Sequence, residues 1–125
     1  MTKRGTYRLS TWARADIIDI LAETEDRFGH VARERYQKLL VTALRDLGNA
    51  PERIGCRLRP ELGDGVLSYH LRHSRERARN ETGIVHRPRH LLLYRIIEPD
   101  LIGIGRILHD AMELERHLPP DYGED

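Results

Sequence analysis

Apolar positions change their period along the chain, and that change lays out the elements. Ala13, Ile17, Ile20, Leu21, Thr24 and Phe28 recur at helical spacing and give one stripe, with Ile18 off it. Ser10 or Thr11 can cap this helix, the side-chain oxygen accepting an unpaired first-turn amide, and Gly29 ends it. Ala32, Tyr36, Leu39, Leu40, Ala43, Leu44 and Leu47 form a second stripe, stopped by Gly48-Asn49-Ala50-Pro51, with Val31 and Val41 outside it. So short a connection forces the two predicted helices into an antiparallel hairpin.

Elsewhere the period is that of strands. Thr6 to Ser10 alternates briefly and predicts a first strand; Leu67, Tyr69 and Leu71 alternate with Ser68, His70 and Arg72 and predict another. Residues 49 to 65, punctuated by proline and glycine, read as loop. Two apolar runs, Leu91 to Ile97 and Leu101 to Leu108, flank Glu98-Pro99-Asp100 and predict an antiparallel hairpin at the centre of the sheet. With Pro99-Asp100 alone as its loop, residue 93 would face 106 and residue 95 would face 104, setting Arg95 and Arg106 on one face. Proline cannot adopt the positive φ of the favoured two-residue turns, so a longer loop is expected, with the shared face retained. Asp110 followed by Glu113 resembles a capping box, and Ala111, Leu114 and Leu118 predict a short final helix ended by Pro119-Pro120. The order is β-α-α-β-β-β-α: an α+β fold with a helical hairpin on one face of a small, mainly antiparallel sheet. Residues 1–118 read as one domain carrying a basic, mobile hairpin loop at 74–88, and 119–125 as a frayed acidic tail.

Composition narrows the function classes. Lys and Arg number 21 against 20 Asp and Glu, so no global charge points to nucleic acid. Lysine occurs only at Lys3 and Lys38, leaving the positive charge to arginine, which suits planar and bidentate contacts. Cys56 stands alone, so no disulfide framework is expected and a reducing compartment is. No apolar run reaches membrane-spanning length and no apolar leader appears, which predicts a soluble cytoplasmic protein.

The candidate chemistry sits in the central hairpin. Arginine inside an apolar strand is costly to bury without a partner. Arg95 and Arg106 are therefore either paired with carboxylates such as Asp16, Asp110 or Glu113, or they line a concave basic face with Arg72 and His109. His109 reads either as a cap into the final helix or as an acid or base. His70 with His73, and His86 with His90, superficially suggest metal spacing, but positions 70 and 73 of a strand point to opposite faces and no cysteine is near, so no metal is expected. Gly63-Asp64-Gly65 is a turn, and no nucleophile elbow or paired-carboxylate site is present.

These residues carry a family resemblance. Tyr7-Arg8-Leu9-Ser10 with Ala13, Asp16-Ile17 and Ile20, then Leu93-Tyr94-Arg95, and above all Arg106-Ile107-Leu108-His109 through Met112 to His117-Leu118, resemble the ParE branch of the ParE/RelE toxins over nearly the whole chain. The arginine-rich stretch Ser74–Pro88 departs from that pattern. The resemblance implies a type II toxin that inhibits DNA gyrase stoichiometrically and is neutralised by a ParD-like antitoxin in a heterotetramer or larger assembly, reaching operator DNA only through that antitoxin. No cofactor and no membrane are implied. RelE-type relatives instead cut mRNA on the ribosome, a reaction that needs a base, an acid and charge-stabilising cations. Such toxins use lysines and a C-terminal tyrosine, a set this chain lacks in place, although Arg95, Arg106 and His109 would be its candidates. A degenerate toxin that only binds a partner is the remaining alternative. Trp12, Ile18, Val31 and Val41, off the apolar stripes, are the predicted antitoxin-binding positions.

Overall fold

The computed structural model describes residues 5–123. Its order is β1 (Thr6–Leu9), α1 (Thr11–Phe28), α2 (His30–Asn49), β2 (Cys56–Leu58), β3 (Leu67–His70), β4 (His90–Glu98) and β5 (Leu101–His109), with short 3-10 turns at Pro60–Leu62, Leu71–Ser74 and Leu114–Arg116. The five strands form one sheet in the order β1-β5-β4-β3-β2. β1 is parallel to β5 and every other pair is antiparallel. The α+β architecture expected from the pattern is therefore present, with β2 as an addition.

Ser10 sets the start of α1. Its Oγ accepts from Ala13 N at 3.0 Å and donates to the Gly105 carbonyl at 2.7 Å, so one buried hydroxyl caps the helix and fastens it to β5. Gly29, at φ 94°, reverses the chain into α2 with no intervening loop. The inward stripes of both helices pack on Tyr69, Leu92, Tyr94, Ile102, Ile104 and Ile107 to form the main core. Leu91, Leu93 and Leu108, alternating with those residues along β4 and β5, point the other way into a smaller cluster with Leu62, Val66 and Tyr122.

Several expectations change. Residues 49–65 are not all loop: Cys56–Leu58 adds to β3, a strand of 3 residues and so too short for alternation to reveal. The central hairpin turns through Pro99-Asp100 alone, Glu98 pairing with Leu101, and irregularities near Ile96/Glu98 and Leu93/Tyr94 absorb the misfit. Leu93 still faces Arg106, but Arg95 faces Gly103 instead of residue 104. No final α-helix forms, because the Asp110 carboxylate that would cap it is bound to Arg89 and His70. Phe28, placed on the core stripe by its spacing, is 73% exposed at the tip of the hairpin.

The basic stretch 74–88 folds back on α2. Buried Asp46 accepts from Ser74 Oγ at 2.7 Å and from Arg77 Nε at 2.9 Å, Arg35 and Lys38 hold Thr82 and the Arg79 carbonyl, and Ala78 and Val85 join the core. The predicted tail is also partly folded, since Tyr122 is 7% exposed, while Glu124 and Asp125, like Lys3, lie outside the described residues.

Candidate functional site

β1 covers β5 only along Leu101–Ile104, so the edge of β5 is bare where the Arg106-Ile107-Leu108-His109 motif begins. An exposed strand edge leaves amides needing acceptors. Asp16, one turn into α1, supplies one: it accepts from Ile107 N at 2.9 Å and, bidentately, from Arg106 Nε at 2.8 Å and Nη2 at 2.9 Å. Both side chains of the pair are more than four-fifths buried. The Trp12 ring lies 5.1 Å from the Arg106 guanidinium, whose Nη1 donates to the His117 carbonyl at 3.2 Å. Arg106 thus joins α1, β5 and the C-terminal segment, the structural alternative left open by the sequence.

Arg95 occupies a different environment. Its guanidinium lies 5.7 Å from the centre of the Tyr122 ring, on the sheet face away from the helices. Arg72 is exposed on the Leu71–Ser74 turn. The structure therefore places the predicted target-facing groups apart: Arg106 against α1, Arg95 under Tyr122, and Arg72 and His109 near the far end of the strands.

That far end carries a polar cluster that sequence spacing did not assemble. Asp110 accepts from Arg89 Nε and Nη2 at 3.0 and 2.9 Å, and its Oδ2 lies 2.9 Å from His70 Nε2. Burial of the carboxyl opposes its ionisation, but Arg89 and His70 outweigh this and hold its pKa at about 2. Tyr36 Oη accepts from Arg89 N and shares a 2.6 Å hydrogen bond with His90 Nδ1. Burial, reinforced by the edge-on neighbour His109, drives His90 down to about 4, while burial pushes Tyr36 up to about 12. His109 Nδ1 accepts from Ala111 N at 3.1 Å, the turn-capping role that sequence allowed. These groups are matched to one another within the fold. Among the described residues, no group of three or more His, Cys, Asp or Glu side chains is arranged to hold a metal ion.

The predicted partner-binding residues are also separable. Trp12 is 50%, Ile18 68% and Val31 46% exposed, whereas Val41 is half-buried. Trp12 and Val31 stand near opposite ends of the helical hairpin, about 24 Å apart along α1 at 1.5 Å per residue. Phe28, missed because its spacing matched the core stripe, adds to Val31 at the tip.

The family model described as "ParE toxin of type II toxin-antitoxin system, parDE" matches residues 7–114, spanning both helices and all five strands. The chain belongs to the ParE toxin family. The match encloses Asp16, Arg95, Arg106 and His109, and it implies an antitoxin partner. A search of curated proteins returns no match. Among the described residues, no helix is long and apolar enough to cross a membrane.

Proposed function

We propose that this ParE-family toxin acts by stoichiometric binding to DNA gyrase and is held inactive by a ParD-like antitoxin in a hetero-oligomer. The observation that favours binding over RNA cleavage is the Asp16–Arg106 pair. A cation serving a scissile phosphate must be free to meet developing negative charge. Arg106 instead spends both faces of its fork on a carboxylate and a carbonyl of its own chain. His90, kept neutral and hydrogen-bonded to Tyr36, is likewise unsuited to proton transfer near neutral pH. Target contact then falls to Arg95, Arg72 and the exposed edge of His109, and antitoxin contact to Trp12, Ile18, Val31 and, less directly, half-buried Val41.

The test pairs two assays on purified toxin. Gyrase supercoiling should fall as toxin approaches the enzyme concentration and recover on adding antitoxin. Primer extension on translated mRNA should show no new cuts. Cleavage products together with undiminished supercoiling would move the protein to the ribonuclease reading, with Arg95 and His109 the side chains to substitute next.

A further inference from the structure

Gly103 and Gly105 lie in β5, a central strand, where glycine weakens the strand and marks a close approach by something else. Here that neighbour is the chain's own C-terminal segment. A Cβ on Gly103 would overlap the Tyr122 carbonyl, and one on Gly105 would come within 2.5 Å of Pro119 Cγ and 2.6 Å of Tyr122 Cε1. Residues 119–123 therefore lie flat across a track that only glycine permits, on the face away from the helices. Tyr122 is the anchor, buried against Leu93 and Leu108 and lying against Arg95. Beyond it, Asp121 and Gly123 border an open cleft of about 380 Å³ that also exposes Arg8 and Arg14 beside β1.

The segment has the chemistry of something laid on the sheet rather than woven into it. Pro119 and Pro120 have no amide to donate. Gly123 N donates to Asp121 Oδ1, within the segment itself. The segment's one buried aromatic side chain, Tyr122, lies over Arg95.

We propose that Pro119–Gly123 is a displaceable strap that masks Arg95 and the glycine track, and that the strap-open form is the one that engages the target. This rests on the toxin reading above for its function but not for its geometry. An equilibrium dominated by the closed form lowers apparent affinity by the fraction that is open. Opening the strap should therefore raise potency, whereas loss of an integral structural element would lower it.

Two variants release the strap by different means: Tyr122→Ala removes the anchor, and Gly105→Ala fills the track while keeping the tail. Tyr122→Phe keeps the ring. Phenylglyoxal, which modifies accessible arginine, is applied to full-length folded protein and the adducts are located by mass spectrometry. Arg95 should react about tenfold faster in Tyr122→Ala and Gly105→Ala than in the parent or Tyr122→Phe, with Arg106 unchanged as an internal control. The dose giving half-maximal growth arrest should fall for the same two variants. Equal Arg95 reactivity in all forms would overturn the mask. Arg106 reacting along with Arg95 would show the segment to be part of the fold's frame and overturn displacement. Faster Arg95 labelling without higher potency, or no arrest by any form, would overturn the regulatory role. Should the opened variants arrest growth at lower dose while none inhibits gyrase, the strap stands and the gyrase target falls.

Discussion

The sheet has two covered faces, and they are covered by different kinds of chain. On one, α1 and α2 lay regular stripes over Leu92, Tyr94, Ile102, Ile104 and Ile107, several of them with no exposed surface. On the other, the loop carrying Leu62 and Val66 and the C-terminal segment carrying Tyr122 cover Leu91, Leu93 and Leu108. The two arginines of the central hairpin both rise from the second face, as expected from the sequence, but they are held differently. Arg106 is tied down beside the helices by Asp16, whereas Arg95 rests under one aromatic ring of an irregular segment. The first face holds the fold together, and the second is the one whose cover can change without unfolding the molecule.

Neighbouring leucines give the sharpest way to break this contrast. Leu92 and Leu93 are both fully buried but point to opposite faces. Leu92→Ala should cost about 4 kcal/mol and Leu93→Ala about 2.5 kcal/mol, since a cavity beneath regular helices relaxes less than one beneath a loop. Urea unfolding measures both, and equal losses would erase the distinction. Next in size is Asp16→Ala. It strands a mostly buried guanidinium and the Ile107 amide, and the expected loss is about 3 kcal/mol by thermal or chemical unfolding. A loss under about 1 kcal/mol would return Arg106 to the list of free surface cations.

A smaller effect should appear with pH. His90 is depressed to about 4 in the fold by burial and by His109, and burial lowers His70 as well. The unfolded chain therefore binds protons first, so the stability these imidazoles confer is complete above about pH 6.5 and drains away as pH falls towards 4. Asp110, at about 2, stays charged throughout that window and does not offset the loss. Stability should drop by about 2 kcal/mol between pH 7 and 4.5, less in a His90→Gln protein. A flat profile in the parent would show that His90 is not held buried beside His109 in solution.

Elements with their own periodicity were legible in sequence: both helices, the central hairpin and β3 follow from local spacing. The missed features were settled by residues far away in the chain. Asp110 and Glu113 have the form of a helix cap, but Arg89 and His70 claim the carboxylate. Phe28 continues the stripe of α1, yet the hairpin tip carries it clear of the core. The 74–88 stretch looked like a free basic arm because nothing local marks buried Asp46 as its anchor. Of the candidate site, Asp16 as partner to Arg106 was among the options visible in sequence, and the Tyr36–His90 contact was not. The strap did leave a signal. Gly103 and Gly105 in an otherwise apolar central strand indicate that another segment passes close by, and Tyr122, beyond two prolines, is that segment.

The proposed division, with Arg95 serving the target and Arg106 the fold, is tested most directly by an Arg95→Ala protein. In a gyrase supercoiling titration it should need about tenfold more toxin for half inhibition than the parent, the scale of losing one charge-assisted contact, while its unfolding midpoint stays with the parent's. Undiminished inhibition by Arg95→Ala, or a fall in stability matching that of Asp16→Ala, would contradict it.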